Sequence, residues 1–224
     1  MPRALVAAYA LAGLVLTGCA PDMKDGLGPR VPIPNVSGSA QRDGGAASAL
    51  DVTLRDPEGR AGVSAGTDAR GLYALAAPAG AWELRIKGKL PGDFDSVARN
   101  LAVSGSDARV SMGPMDIYAY GASMVLPSDS ATLAPPSSDT PVTFRWTSPA
   151  RSFSSGRVQL FDSAGAAVWY SPKSADSSAV WNGMENQGAA AGSSVPRGAY
   201  TWRLKFDFPD TTAARTPSRR ITFR

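Results

Sequence analysis

The sequence predicts an all-β protein, two antiparallel β-sandwich domains in tandem after a signal peptide and a flexible tether. Three observations lead there. Short segments alternate apolar and polar residues with period two, as half-buried strands do. Turn clusters rich in Gly, Pro, Asp and Ser separate them at intervals of about ten residues. Helical patterns are poor in a chain that carries 23 glycines and 18 prolines among its 224 residues.

The first segment, "MPRALVAAYALAGLVLTGC", has one positive residue, Arg3, then an uncharged run from Ala4 to Leu16, then small residues ahead of Cys19. That order is a secretory signal. The run is short for a bilayer crossing, which needs roughly 20 residues. Leu16-Thr17-Gly18-Cys19 resembles the lipobox of bacterial lipoproteins. The resemblance implies cleavage after Gly18, a diacylglycerol on the Cys19 thiol and an N-acyl group on the new amine. Several acyl chains give stable anchoring where one holds only reversibly. The same resemblance implies that Ala20 after the cysteine, with no Asp there, sorts the protein to an outer membrane if the host has one. Residues 19–35, rich in Gly, Pro and charge, read as a tether.

Residues 36–118 read as the first sandwich. "ALDVTLRD" sets Leu50, Val52 and Leu54 against Asp51, Thr53 and Arg55, and "AWELRIKG" sets Trp82, Leu84 and Ile86 against Glu83, Arg85 and Lys87. Turn clusters at Asp56-Pro57-Glu58-Gly59, Thr67 to Gly71 and Pro78-Ala79-Gly80 lie between them. Thr67, Asp68, Gly71, Tyr73, Leu75, Pro78, Gly80 and Trp82 match the hallmark of the carboxypeptidase regulatory-like domain, which this half resembles. The resemblance implies a transthyretin-like sandwich and a scaffold role, with no catalysis of its own.

Residues 119–128 read as a linker, and residues 129–224 as the second sandwich. "PVTFRWTS" turns Val142, Phe144 and Trp146 inward, and "AYTWRLKFDF" does the same with Tyr200, Trp202, Leu204, Phe206 and Phe208. This half resembles immunoglobulin-like and fibronectin type III modules. Trp181-Asn182-Gly183, Gly188 and Val195-Pro196-Arg197-Gly198-Ala199-Tyr200 are similar to the Ig-like domain of the flagellar hook-cap family, with Asn182 where that family has aspartate.

Chemistry is narrowed by what is missing. The chain has no histidine and one cysteine, so Ser-His-Asp and Cys-His arrangements cannot be written. Two-carboxylate hydrolysis stays formally open, but the acids fall mostly in turns, where aspartates bond their own backbone. "GDFDS", with Asp93 and Asp95, is the nearest approach to a calcium loop, and two acids cannot fill a shell of about six to eight oxygens. No catalytic residue, no metal site and no cofactor beyond the acyl groups of Cys19 are therefore expected. The net charge of +4 is modest and its Lys and Arg are scattered along the chain, which points to solubility first and at most to weak attraction to anionic surfaces such as lipopolysaccharide or acidic glycans; no nucleic-acid partner is expected.

Among the five tryptophans, Trp82, Trp146 and Trp202 are core by period. Trp169 and Tyr170 are adjacent in a strand and must face opposite sides, so one of them stands outside the core as a candidate binding surface. The chain thus reads as a non-enzymatic, lipid-anchored envelope protein, bound to the membrane through Cys19. Its expected partner is another envelope protein docking on a sheet edge or on distal loops, and the alternative is a glycan-binding module for cell-wall or extracellular polysaccharide.

Overall fold

Alternation in the sequence becomes alternation in burial. The computed structural model describes residues 32–105 and 108–224, and each regular element among them is a strand. The first half holds β1 (Val36–Arg42), β2 (Gly45–Ala46), β3 (Asp51–Arg55), β4 (Ala61–Gly66), β5 (Leu72–Leu75), β6 (Gly80–Lys87), β7 (Ser96–Val103), β8 (Val110–Ser111) and β9 (Met115–Asp116). The second holds β10 (Ser123–Leu126), β11 (Ala131–Leu133), β12 (Val142–Thr147), β13 (Ser155–Phe161), β14 (Ala167–Tyr170), β15 (Ser178–Trp181), β16 (Gly198–Asp207), β17 (Ala213–Arg215) and β18 (Arg219–Phe223).

In the first half, β4, β3, β6 and β7 form one layer. It is faced by β1, which pairs antiparallel with β2 and β5 and parallel with β8 and β9. In the second half, β10-β12-β15 is one layer, and β11, β18, β16, β13 and β14 belong to the other. The two halves are joined by β17, which pairs with β16 on one side and with β7 on the other. Ala98 lies opposite Ala213, Val97 opposite Ala214, and Ser96 opposite Arg215. A single ten-stranded sheet therefore runs through both halves, and Ile33–Arg224 cluster as one compact unit.

The linker expected at 119–128 needs correction. Ser123–Leu126 within it form β10, which pairs with β12, and Met124 is buried there. Met124 gives this segment an apolar group to bury, and its sulfur accepts a hydrogen bond from the Thr216 hydroxyl.

Burial follows the expected faces. Leu50, Val52, Leu54, Leu84 and Ile86 fill the first half with Val36, Tyr73 and Leu75. In the second half a chain of rings runs from Trp202 to Phe144 (5.0 Å between centroids), Trp169 (5.7 Å), Trp181 (5.6 Å), Phe223 (5.8 Å) and Tyr200 (5.3 Å). Each such side chain stabilises by on the order of 2–3 kcal/mol through leaving water. The junction between halves is apolar too, since Phe94 meets Phe206 at 6.2 Å and Phe208 at 6.3 Å. Trp82 differs from expectation. It is half-buried, lying over Gly62 at the end of β6, with its Nε1 donating to the Pro78 carbonyl at 3.1 Å.

Candidate functional site

Cys19 and the whole signal segment lie outside the described residues. Trp169 and Tyr170 divide as adjacent strand residues should, and Trp169 is the one that faces the core, so it offers no binding surface. It is 6% exposed, opposite Leu160 in the ladder and stacked between Phe144 and Trp181. The inward position lets its ring complete the aromatic chain. Tyr170 lies opposite Gln159 on the outer face and is half-buried. Its ring meets Phe161 edge-on at 6.2 Å and carries the Arg157 guanidinium 4.8 Å from its centroid. The Asn186 side chain accepts from the Tyr170 amide and donates to its carbonyl, both at 2.9 Å, so it closes the edge of β14.

Tyr170 stands at one end of a charged sheet face. Residues directly opposite in a ladder share a face, and the registers place Arg157 opposite Lys205, Lys205 opposite Arg215, Arg215 opposite Ser96, and Ser96 opposite Lys87. With neighbouring strands about 4.8 Å apart, that row of five positions spans about 19 Å. Arg203 lies beside it, donating from Nε to Gln159 Oε1 at 3.1 Å, with its guanidinium 4.6 Å from the centre of the Phe161 ring. Arg85 lies on the same face, opposite Ala98.

Carboxylates on this face are outnumbered. Glu83 is bonded by Arg85 and faces Arg215 Nη2 at 3.7 Å. Asp207 is shared by Lys173 at 2.8 Å and Lys205 at 3.1 Å. Asp95 acts on Arg203 and Arg215 by charge alone. Burial lowers the pKa of Arg203, and repulsion from Arg215 lowers it further. Arg215 is lowered in the same way, by burial and then by Arg85. Burial pushes Glu83 and Asp207 up, but their cationic partners outweigh it and hold both below the usual carboxylate range.

The residues of the family motifs serve the fold. Thr67 donates its hydroxyl to the Ala47 carbonyl at 2.8 Å and accepts from the Leu50 amide at 2.9 Å. Asp68 Oδ1 accepts from the amides of Arg70 and Leu72, both at 2.8 Å. Tyr200 donates its hydroxyl to the Pro196 carbonyl at 2.7 Å, and Asn182 accepts from the Met184 amide at 3.2 Å. Gly183 sits at a φ of 86° with the Pro136 carbonyl where a Cβ would go. Gly183→Ala is therefore expected to destabilise by about 1–3 kcal/mol, read as a lower urea midpoint at unchanged slope. An unchanged midpoint would refute the packing of this turn.

The "GDFDS" loop also has a structural use. Arg42 donates to both oxygens of Asp93, from Nε at 2.6 Å and Nη2 at 2.7 Å. Among the described residues no group of three or more His, Cys, Asp or Glu is placed to hold a metal ion.

No protein-family model and no curated protein matches the chain. Solved structures do. A DUF3823 family protein from Parabacteroides merdae is 12% identical, over 84% of this chain and 97% of that one, with a TM-score of 0.29. A segment of two fibronectin type III domains from chicken tenascin is 11% identical, over 82% of this chain and 88% of its own, with a TM-score of 0.28. CopC from Methylosinus trichosporium is 15% identical, over 46% of this chain and 92% of its own, with a TM-score of 0.31. The described residues are all-β, and fibronectin type III modules are among the solved structures to which the chain is similar.

Proposed function

We propose that this chain is a lipid-anchored envelope protein that acts without catalysis, as a structural or interaction module. Its acyl chains on Cys19 hold one end in a membrane, the outer membrane where the host has one, and its β body reaches a partner in the envelope. The observation that supports the structural-module part of this reading is the β7–β17 ladder, which makes both halves one continuous sheet, while the anchor rests on the residues around Cys19. A sheet hydrogen-bonded across the junction transmits force and holds a surface in fixed orientation. The motif residues Thr67, Asp68, Asn182 and Gly183 are engaged in turns, and the charged outer face is left for contact with other molecules.

The test is mass spectrometry of protein taken from its own cells. The expected product starts at Cys19 and carries a diacylglycerol thioether and an N-acyl group, and Cys19→Ala moves the protein to the soluble fraction. A free thiol on Cys19, or retention of residues 1–18, would refute the anchor.

A further inference from the structure

We infer that the outer face of the ten-stranded sheet binds an acidic, carboxylate-bearing polysaccharide across the row Arg157, Lys205, Arg215 and Lys87, with Arg203 and Tyr170 at one end. The identity of the polymer rests on the envelope reading above, which places the body where such glycans occur. The binding surface itself rests on the registers.

Like charges directly opposite in a ladder are destabilising, yet Arg157, Lys205 and Arg215 occupy successive opposed positions. Coating an open sheet face with long side chains explains why four of the five positions are long and polar, with the buried Ser96 between Arg215 and Lys87. It does not explain the sign, since alternating acids and bases would coat the face as well and attract one another. Around Lys205 and Arg215 only Glu83, Asp207 and, at longer range, Asp95 offer negative charge. Arg157 and Arg203 rest on the rings of Tyr170 and Phe161 with no carboxylate bonded to them. Nη1 of Arg215 and Nε of Arg157 are buried donors without a protein acceptor, so an arriving anion meets the outer nitrogens of these groups. An anion brought to the row relieves the repulsion and supplies acceptors in the paired geometry that guanidinium groups favour.

The shape of the row chooses among anions. Three of its cations sit on successive strands and the fourth, Lys87, lies one strand beyond Ser96, so that charge is spread along about 19 Å, which suits a linear polymer better than one compact ion. No exposed large apolar side chain lies in the row, so it lacks the anchors by which protein partners are held and the apolar edge by which an amphipathic surface enters a membrane. Tyr170 at its end, half-buried, provides a ring edge for a sugar, while Gln159 beneath it is buried and holds Arg203 in place.

The full chain, purified with its anchor in detergent, is titrated with polygalacturonate and with neutral dextran at increasing salt. Binding of polygalacturonate alone, weakening steadily with salt, is expected. Arg157→Gln with Lys205→Gln should weaken it about tenfold to a hundredfold. Arg70→Gln with Arg145→Gln, which removes equal charge from the β4–β5 turn and from β12 in the opposite layer of the second half, should leave it unchanged. Both pairs must melt as the parent does, and the salt dependence of the parent reads the same charges without substitution. Absence of polygalacturonate binding at low salt, or equal loss in the control pair, overturns the inference. Equal affinity for polyglutamate, or binding to phosphatidylglycerol vesicles in place of polygalacturonate, overturns the choice of a glycan. Cys19→Ala should bind polygalacturonate as the parent does, so failure of the anchor and failure of the face are read separately.

Discussion

Asp93→Ala is expected to lower the unfolding free energy by about 3 kcal/mol, near the bottom of the range for breaking a buried ion pair. The Asp93 side chain is 2% exposed and its partner Arg42 25% exposed. Removing the carboxylate leaves Arg42 in β1 without its paired acceptor, although water reaches part of it. It also strips the amides of Lys89 and Leu90, which donate to Asp93 Oδ2 at 3.1 and 3.0 Å. The two layers of the first sandwich lose a crosslink, because Arg42 comes from one layer and Asp93 from the turn between β6 and β7 of the other.

The same pair sets an acid limit. Burial pushes the Asp93 carboxyl up, but the hydrogen bonds from Arg42 and the two amides outweigh it, and its pKa falls below the ordinary 3.8. A carboxylate with a lower pKa folded than unfolded stabilises above the unfolded value, and that share is lost as pH falls through the folded one. The difference in urea midpoint between parent and Asp93→Ala should therefore be full at about pH 7 and shrink below about pH 4. Glu83, Asp207 and Asp210 are lowered as well, so both proteins weaken in acid. A difference that stays constant across this range would show that the carboxylate charge is not what Arg42 holds.

Asp93 also shows where sequence reading stops. In "GDFDS" it is an acid beside another acid, which is how a cation loop begins. Its partner stands 51 residues earlier, at a distance no local pattern spans. The strands were legible because alternation is local. "AYTWRLKFDF" states its buried face in ten letters, and Tyr200, Trp202, Leu204, Phe206 and Phe208 are all buried. Pairing of β7 with β17 was not legible, since "AAR" has no periodicity to read and its partner lies more than a hundred residues back. The basic face was hidden for the same reason. Its cations are spread over β6, β13, β16 and β17, and looked scattered until register placed them side by side. The local trace that could have found them is the outward half of each alternation, where Arg85, Lys87, Arg203 and Lys205 recur.

Trp181→Ala is expected to cost about 3–5 kcal/mol, the range for deleting a large buried aromatic. Trp181 is 1% exposed and sits between Trp169 at 5.6 Å and Phe223 at 5.8 Å. Its ring thus links the layer that ends in β15 to the ten-stranded sheet, through β14 on one side and β18 on the other. Truncation leaves a cavity that close-packed aromatic neighbours cannot fill, and it leaves the Met184 carbonyl without the Nε1 donor at 2.8 Å. Trp181→Phe separates the two contributions. It keeps an aromatic ring and loses the donor, so about 1–2 kcal/mol should go with the unmade hydrogen bond and a smaller part with lost volume. Trp82→Ala gives the contrast, because Trp82 is only half-buried over Gly62, and its loss should fall well short of that at Trp181. Urea unfolding of the three variants, with equal slopes, ranks them directly. If Trp181→Ala proved no worse than Trp82→Ala, the chain of rings would not be the support of the second half, and the placement of Trp169 inside it would fall as well.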